Sequence, residues 1–168
     1  MSRILILISM LLACTVQAIA APPPAALRFN IEQTVVKMPL AEGVTPEDAI
    51  EALKSKAIEL NMKFVAHQPL SRELAARGID DPPRLEIFQF CNPGDAYEMV
   101  RYNPIFAAYM PCRIALVEDR KAGKTWLMML DLNLLIENTP LPPKLRAIAE
   151  RVSQTLMQIL EAGATGEF

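Results

Sequence analysis

Proline stands at almost every point where this chain changes its periodicity, so no segment runs far before it must turn. Proline fixes φ and donates no backbone hydrogen bond, which stops helices and interior strands but suits a first helical turn. Breaks fall at Gly43-Val44-Thr45-Pro46, Pro69, Asp80-Asp81-Pro82-Pro83, Asn92-Pro93, Asn103-Pro104, Pro111 and the Pro140, Pro142, Pro143 cluster. Short segments joined by stiff turns suit a small layered fold better than a long bundle.

Between these breaks the apolar period identifies each segment. Arg28 to Val36 alternates, with Phe29, Ile31 and Val35 opposite Asn30, Glu32 and Thr34, and predicts a half-buried strand. Thr45 is placed to cap a helix running to Asn61. Pro46 takes its first position, Asp48 closes a capping box, and Ile50, Leu53, Ala57 and Leu60 form its stripe. Met62 to His67 predicts a second strand, and Ser71 to Arg77 one or two helical turns. Leu85 to Phe90 predicts a strand with Leu85 and Ile87 on one side and Phe88 and Phe90 on the other.

Asn92 can cap a helix that begins at Pro93 and carries Ala96, Met99 and Val100 on its apolar side. A further turn is expected over Ile105 to Met110. Cys112 to Glu118 and Lys124 to Asp131 predict a hairpin around Asp119 to Gly123. Lys144 to Leu160 predicts the last helix, striped by Leu145, Ile148, Val152, Leu156 and Ile159, and the chain is expected to fray after Glu161. Strands that cluster between helices without βαβ alternation predict an α+β fold, with a mostly antiparallel sheet and helices on one face. Phe88, Phe90, Trp126 and Met128 all need burial, and the helix-covered face cannot take them all.

The first twenty residues have the layout of a secretory signal peptide: Arg3, an apolar run from Ile4 to Ala13, then Ala18-Ile19-Ala20 before Ala21. The alternatives are an uncleaved anchor, or a lipoprotein attached at Cys14, since Leu11-Leu12-Ala13-Cys14 loosely resembles a lipobox. The expected organisation is a leader over 1–20, a Pro/Ala-rich lead-in over 21–27, one α+β domain over 28–162 and a tail over 163–168. The expected location is periplasmic or secreted, with no stable membrane span after cleavage. The sequence is 52% apolar and 21% charged, a globular balance. Its net charge of −2, or −3 without Arg3, gives no electrostatic footprint for nucleic acid.

Cys91 and Cys112 are the cysteines that remain after the leader. They are open to three readings: a structural disulfide, two buried free thiols, or a reactive or ligand-contacting thiol. Cys91 precedes a capped helix, where the dipole favours a thiolate. There is no Cys-x-x-Cys, so thioredoxin-like exchange has little support. His67 is the only histidine. A soft metal would choose it or methionines such as Met99, Met110, Met128 and Met129, but no spaced His or Met repeat is present. Glu86 and Asp131 lie on expected strands as a conceivable carboxylate pair, although strand acids usually face water. Nothing resembles a nucleophile elbow, and any Ser-His or Cys-His mechanism must use His67.

Phe90-Cys91-Asn92-Pro93 followed by Met110-Pro111-Cys112 resembles the domain-of-unknown-function family 302. Ala96, Asn103-Pro104 and Val117-Glu118-Asp119 continue the pattern, and the helix over Thr45 to Asn61 also matches. The resemblance covers roughly Arg28 to Asp131. Met110 stands where that family usually has Leu, and the last helix is longer than its core pattern requires. The resemblance implies a TATA-binding-protein-like α+β fold, β-α-β(4)-α, and no established reaction or cofactor.

The expectation is therefore a small exported domain that binds a small ligand or a protein partner, a homodimer included, rather than an enzyme. No catalytic residue, metal ligand or cofactor is assigned. A functional cleft is expected where Cys91, Asn92 and Pro93 meet Met110 and Cys112, with Tyr97, Tyr102 or Tyr109 at its rim. Asn92, like Glu47 and Asp48, is also expected to satisfy free N–H groups at a helix start. The alternative is a thiol-dependent redox or metal-handling protein, for copper or haem.

Overall fold

A computed structural model describes residues 30–167. The leader, Cys14, the lead-in, the first residues of the expected opening strand and Phe168 lie outside them. Five strands form one sheet: β1 (Val35–Pro39), β2 (Lys63–Gln68), β3 (Leu85–Cys91), β4 (Cys112–Asp119) and β5 (Lys124–Leu130). Their spatial order is β1-β5-β4-β3-β2, and every neighbouring pair is antiparallel. The helices are α1 (Pro46–Glu59), α2 (Leu70–Ala76), α3 (Pro93–Tyr102), α4 (Leu132–Glu137) and α5 (Pro143–Thr165). This is the expected α+β arrangement, with the sheet covered by helices on one side.

Register divides the side chains between the two faces. Leu116 pairs with Leu127, Leu127 with Met38, and Phe88 with Ile114, so these residues share a face. Leu53 and Ala57 of α1 and Leu156, Ile159 and Leu160 of α5 close over that face as one core. Each fully buried side chain of this size contributes about 1.5–3 kcal/mol. Phe88 and Phe90 are inside this layer. Trp126 and Met128 take the other face with Val117 and Ala115, their partners in register. Lys37 lays its ammonium 4.1 Å from the centre of the Trp126 ring and Lys124 lies 5.6 Å from it, two cation–π contacts that help cover the indole on this face.

Local chemistry explains where the elements begin. Thr45 accepts from Asp48 N at 3.1 Å and Asp48 Oδ2 accepts from Thr45 N at 3.0 Å, the reciprocal capping box that starts α1. The β4–β5 turn is held by Asp119 Oδ1, which accepts from the backbone N–H groups of Lys121 and Ala122.

Three segments differ from expectation. The opening strand starts only at Val35, because residues 31–34 form a 3₁₀ turn. Asn30 Oδ1 accepts from Glu32 N, Asn30 N donates to Gln33 Oε1, and Thr34 Oγ1 donates to Ile31 O. These local bonds compete with the ladder, and they leave Ile31 77% exposed. The chain does not fray after Glu161: α5 runs to Thr165 with Ala162, Gly163 and Ala164 buried, and Gly166 ends it at φ +70°. Finally, β5 stops at Leu130, and Asp131 caps the unforeseen helix α4 by accepting from Asn133 N.

Gly163 sets the distance between α5 and the layer beneath it. A Cβ there would fall 2.7 Å from Leu53 Cδ2 of α1 and 2.8 Å from Leu127 Cδ1 of β5. Gly163→Ala is expected to lower stability by about 1–2 kcal/mol, the overpacking cost outweighing the helix propensity gained. The measurement is the urea midpoint at unchanged slope. An unmoved midpoint would mean that the helix layer shifts freely.

Candidate functional site

Strand β3 ends at Cys91, and β4, its antiparallel neighbour, begins at Cys112, which pairs with Phe90. Residues 92–111 therefore leave and return at the same end of the sheet. Asn92 starts the excursion: its Oδ1 accepts from Gly94 N at 3.0 Å and Asp95 N at 3.2 Å, with Pro93 at the first helical position. After α3, Asn103 caps a 3₁₀ helix over Pro104–Tyr109 by accepting from Ile105 N. A cis Met110–Pro111 peptide then leads into β4.

This lobe packs on the first half of α5. Met99, Leu145 and Ile148 are buried together, with Phe106, Met110 and Leu141 against them. Arg151 bonds Asp95 at 2.5 Å and Lys144 bonds Glu98 at 2.6 Å, tying α3 to α5. Between the lobe, α4, α5 and the strand ends lies a cavity of about 470 Å³. Its walls are mainly apolar, Met99, Phe106, Leu135 and Ile148 among them. That volume falls within the range of small-molecule pockets.

Of the residues expected to form a cleft, Cys91, Asn92, Met110 and Cys112 line this cavity, as do Tyr102 and Tyr109. Pro93 and Tyr97 are not in its wall. Asp95, Ala96, Met99, Tyr102 and Asn103 line it at helical spacing. Tyr97 falls outside that stripe, is 65% exposed, and has the Arg101 guanidinium 5.9 Å from its ring. Asn92 spends its oxygen on the helix cap. The far wall, Leu132, Leu135 and Ile136 of α4, was missed in the sequence. Its signal was present: an Asp cap followed by apolar residues at i, i+3 and i+4.

Cys91 and Cys112 are free thiols. The thiolate that a helix start would favour at Cys91 is opposed by its other surroundings. Burial raises its pKa, and the neighbouring Asp95 carboxylate adds to the rise, against the helix dipole. Burial pushes Cys112 up to about 11, with Cys91 as a second cause.

A second polar feature lies at the other end of β3. Glu86 is only 7% exposed, on the helix-covered face, contrary to the expectation for a strand acid. Its two oxygens take His67 Nε2 at 2.6 Å and Arg84 Nε at 2.5 Å. Arg84 Nη1 in turn reaches Glu47 of α1 at 2.6 Å, and the His67 ring stacks on Phe88 at 4.6 Å. A buried carboxylate with both oxygens engaged, one by the Arg84 guanidinium and one by the His67 ring, is a satisfied structural group. Asp131, the other acid considered, caps α4 and does not pair with Glu86. His67 bonds Glu86 rather than Ser71, so no serine–histidine pair is assembled among the described residues.

The family model described as "Domain of unknown function DUF302" matches residues 36–163. The chain belongs to this family. The match extends through most of α5, so the long last helix is part of the DUF302 domain rather than an addition to it. The crystal structure of uncharacterized conserved protein DUF302 from Bacillus stearothermophilus is similar at a TM-score of 0.64 and 19% identity. The alignment covers 77% of this chain and 97% of that one, and at this identity the likeness is one of fold. No curated protein matches the chain.

Thiols react as thiolates, so a raised pKa delays modification to higher pH. Iodoacetamide should modify Cys91 before Cys112. The rate at Cys112 should climb about tenfold per pH unit, with no plateau before pH about 10, because its pKa is near 11. A plateau at Cys112 below the ordinary thiol range of about 8.5 would contradict the burial argument.

Proposed function

We propose that this DUF302 domain is an exported binding domain that takes one small, uncharged, largely apolar molecule into the cavity beside Cys91 and Cys112. The observation that carries the reading is the character of the wall. It is dominated by aliphatic, aromatic and thioether side chains. Its one carboxylate, Asp95, is engaged by Arg151. The hydroxyls of Tyr102 and Tyr109 and the thiol of Cys112 are hydrogen-bonding groups able to orient a ligand. A charged ligand would lose its hydration without gaining a counter-charge, whereas an apolar one gains free energy from the area it buries.

Export rests on the leader pattern over Arg3 to Ala20. Thiol exchange as the main activity draws less support, because burial raises the pKa of both thiols. The paired, structural setting of His67 and Glu86 gives hydrolysis little support as well.

Nile red, a neutral apolar fluorophore, tests the reading. Saturable one-to-one binding with blue-shifted emission is expected. Ala149→Phe, which places a ring in the cavity, should abolish it while the far-ultraviolet circular dichroism stays native. Ala96→Leu is the alternative filling variant if Ala149→Phe does not fold. Dye binding undiminished in a folded, filled variant would overturn the proposal.

A further inference from the structure

We propose that the mouth of the cavity docks on a lipid bilayer, with Tyr102, Ile105 and Tyr109 entering the headgroup layer of a zwitterionic membrane. The contact stands on its own observations. That an apolar molecule passes from the membrane into the cavity rests on the reading above.

The mouth is marked by wall residues that are also exposed. Tyr102 is 53% exposed, Ile105 62% and Tyr109 49%, and all three line the cavity. Asn103 and Pro140 are the other exposed members of the wall. Single exposed apolar residues are ordinary, but a cluster of them at the rim of an apolar space marks a contact surface. The lobe does not lack a core to receive them. Phe106 and Met110, from the same stretch of chain, pack inward against Met99, Leu145 and Ile148. Ile105 and Tyr109 lie on the other side of that short 3₁₀ helix and stay outside.

The chemistry of the rim selects the occupant. None of its exposed residues carries a charge, and neither do the segments that bear them, residues 102–112 and 138–143. The side-chain oxygen of Asn103 is spent on the backbone N–H of Ile105. Tyrosine, with an apolar ring and a polar tip, is the side chain that gathers at membrane–water interfaces. An uncharged rim is not drawn to anionic lipid, and a chain of net charge −2 is repelled by it, so the surface that fits is zwitterionic. A protein seated on the rim would close the entrance. A bilayer instead presents apolar molecules at the opening, where they are more concentrated than in water. With three side chains entering, the attachment is weak and reversible, scaling with the apolar area buried.

Co-sedimentation with phosphatidylcholine vesicles tests the proposal, with no dye present. The wild-type chain is expected to sediment with the vesicles and to remain with them in about 0.5 M salt, since screening weakens only charge attraction. Ile105→Ser should weaken binding by about fivefold, and Ile105→Ser/Tyr109→Ser by roughly tenfold or more, through the lost apolar contact. Ile79→Ser removes an equally exposed apolar residue before β3, at the other end of the sheet, and should change nothing. All variants keep the same chain ends, so a difference between them reads the mouth alone. Both Ile105 and Tyr109 are exposed, and native far-ultraviolet circular dichroism shows that a variant is folded. Wild-type protein that binds Nile red but stays in the supernatant would overturn the docking proposal and leave the ligand reading standing. Equal loss in Ile105→Ser and Ile79→Ser would overturn it too. So would a lipid-free dimer that Ile105→Ser dissociates and that does not bind vesicles, which would assign the rim to a second copy of the chain.

Discussion

The antiparallel pairing of β3 with β4 is the constraint on which the rest depends. Strands joined in this way must be connected at one end of the sheet, yet residues 92–111 are far more than a hairpin needs. The surplus cannot lie in the ladder, so it folds into α3 and a 3₁₀ helix and must bury its own apolar side. The first half of α5 and α4 supply the complementary surface. Two convex helical surfaces and a sheet end do not fill the space between them, and the cavity is what remains. Register sets Cys91 and Cys112 at this same end of the sheet, Cys112 on the face of its partner Phe90 and Cys91 on the alternate one, since one closes β3 and the other opens β4.

The two ends of β3 divide the work of the fold. At its start Glu86 binds His67 and Arg84, and Arg84 continues to Glu47 at the N-terminus of α1. That network links β2, β3 and α1 through a carboxylate already fully engaged. Along the middle, Phe88 and Phe90 form part of the core, and the close approach of α5 at Gly163 keeps the layers in contact. Only the far end is left with neutral groups able to meet a ligand. A rigid sheet thus presents a cavity on a lobe that touches it at two strand ends, a usual division between scaffold and site.

Much of this was legible in the sequence where a local rule had a single outcome. Thr45-Pro46 with Asp48, and Asn92-Pro93, are caps whose bonds lie within four residues, so tertiary context had little to override. The placing of Cys91 and Cys112 at one end of the sheet followed from strand ends flanking one excursion. Elsewhere a competing interaction decided. Residues 31–34 alternate like a strand, but the side chains of Asn30, Gln33 and Thr34 bond locally and turn the chain. Glu86 looked like a solvent-facing acid, because its partners His67 and Arg84 are recognisable only once β2 is paired and α1 is in place. The polar look of the C-terminal tail hid Gly163, whose burial comes from helices packing closely. Tyr97 was assigned to the rim by its chemistry, but the helical phase of α3 turns it outward.

The account rests on one physical claim: the lobe of residues 92–111 stands off α5 around an apolar space that small apolar matter can enter. Xenon occupies such spaces through dispersion alone and makes no demand on polar groups. Crystals of the protein pressurised with xenon test the claim most directly. The prediction is xenon density inside the cavity, in contact with Met99, Phe106, Leu135 and Ile148. A lobe collapsed onto α5, with those four side chains in mutual contact and no xenon between them, would contradict it.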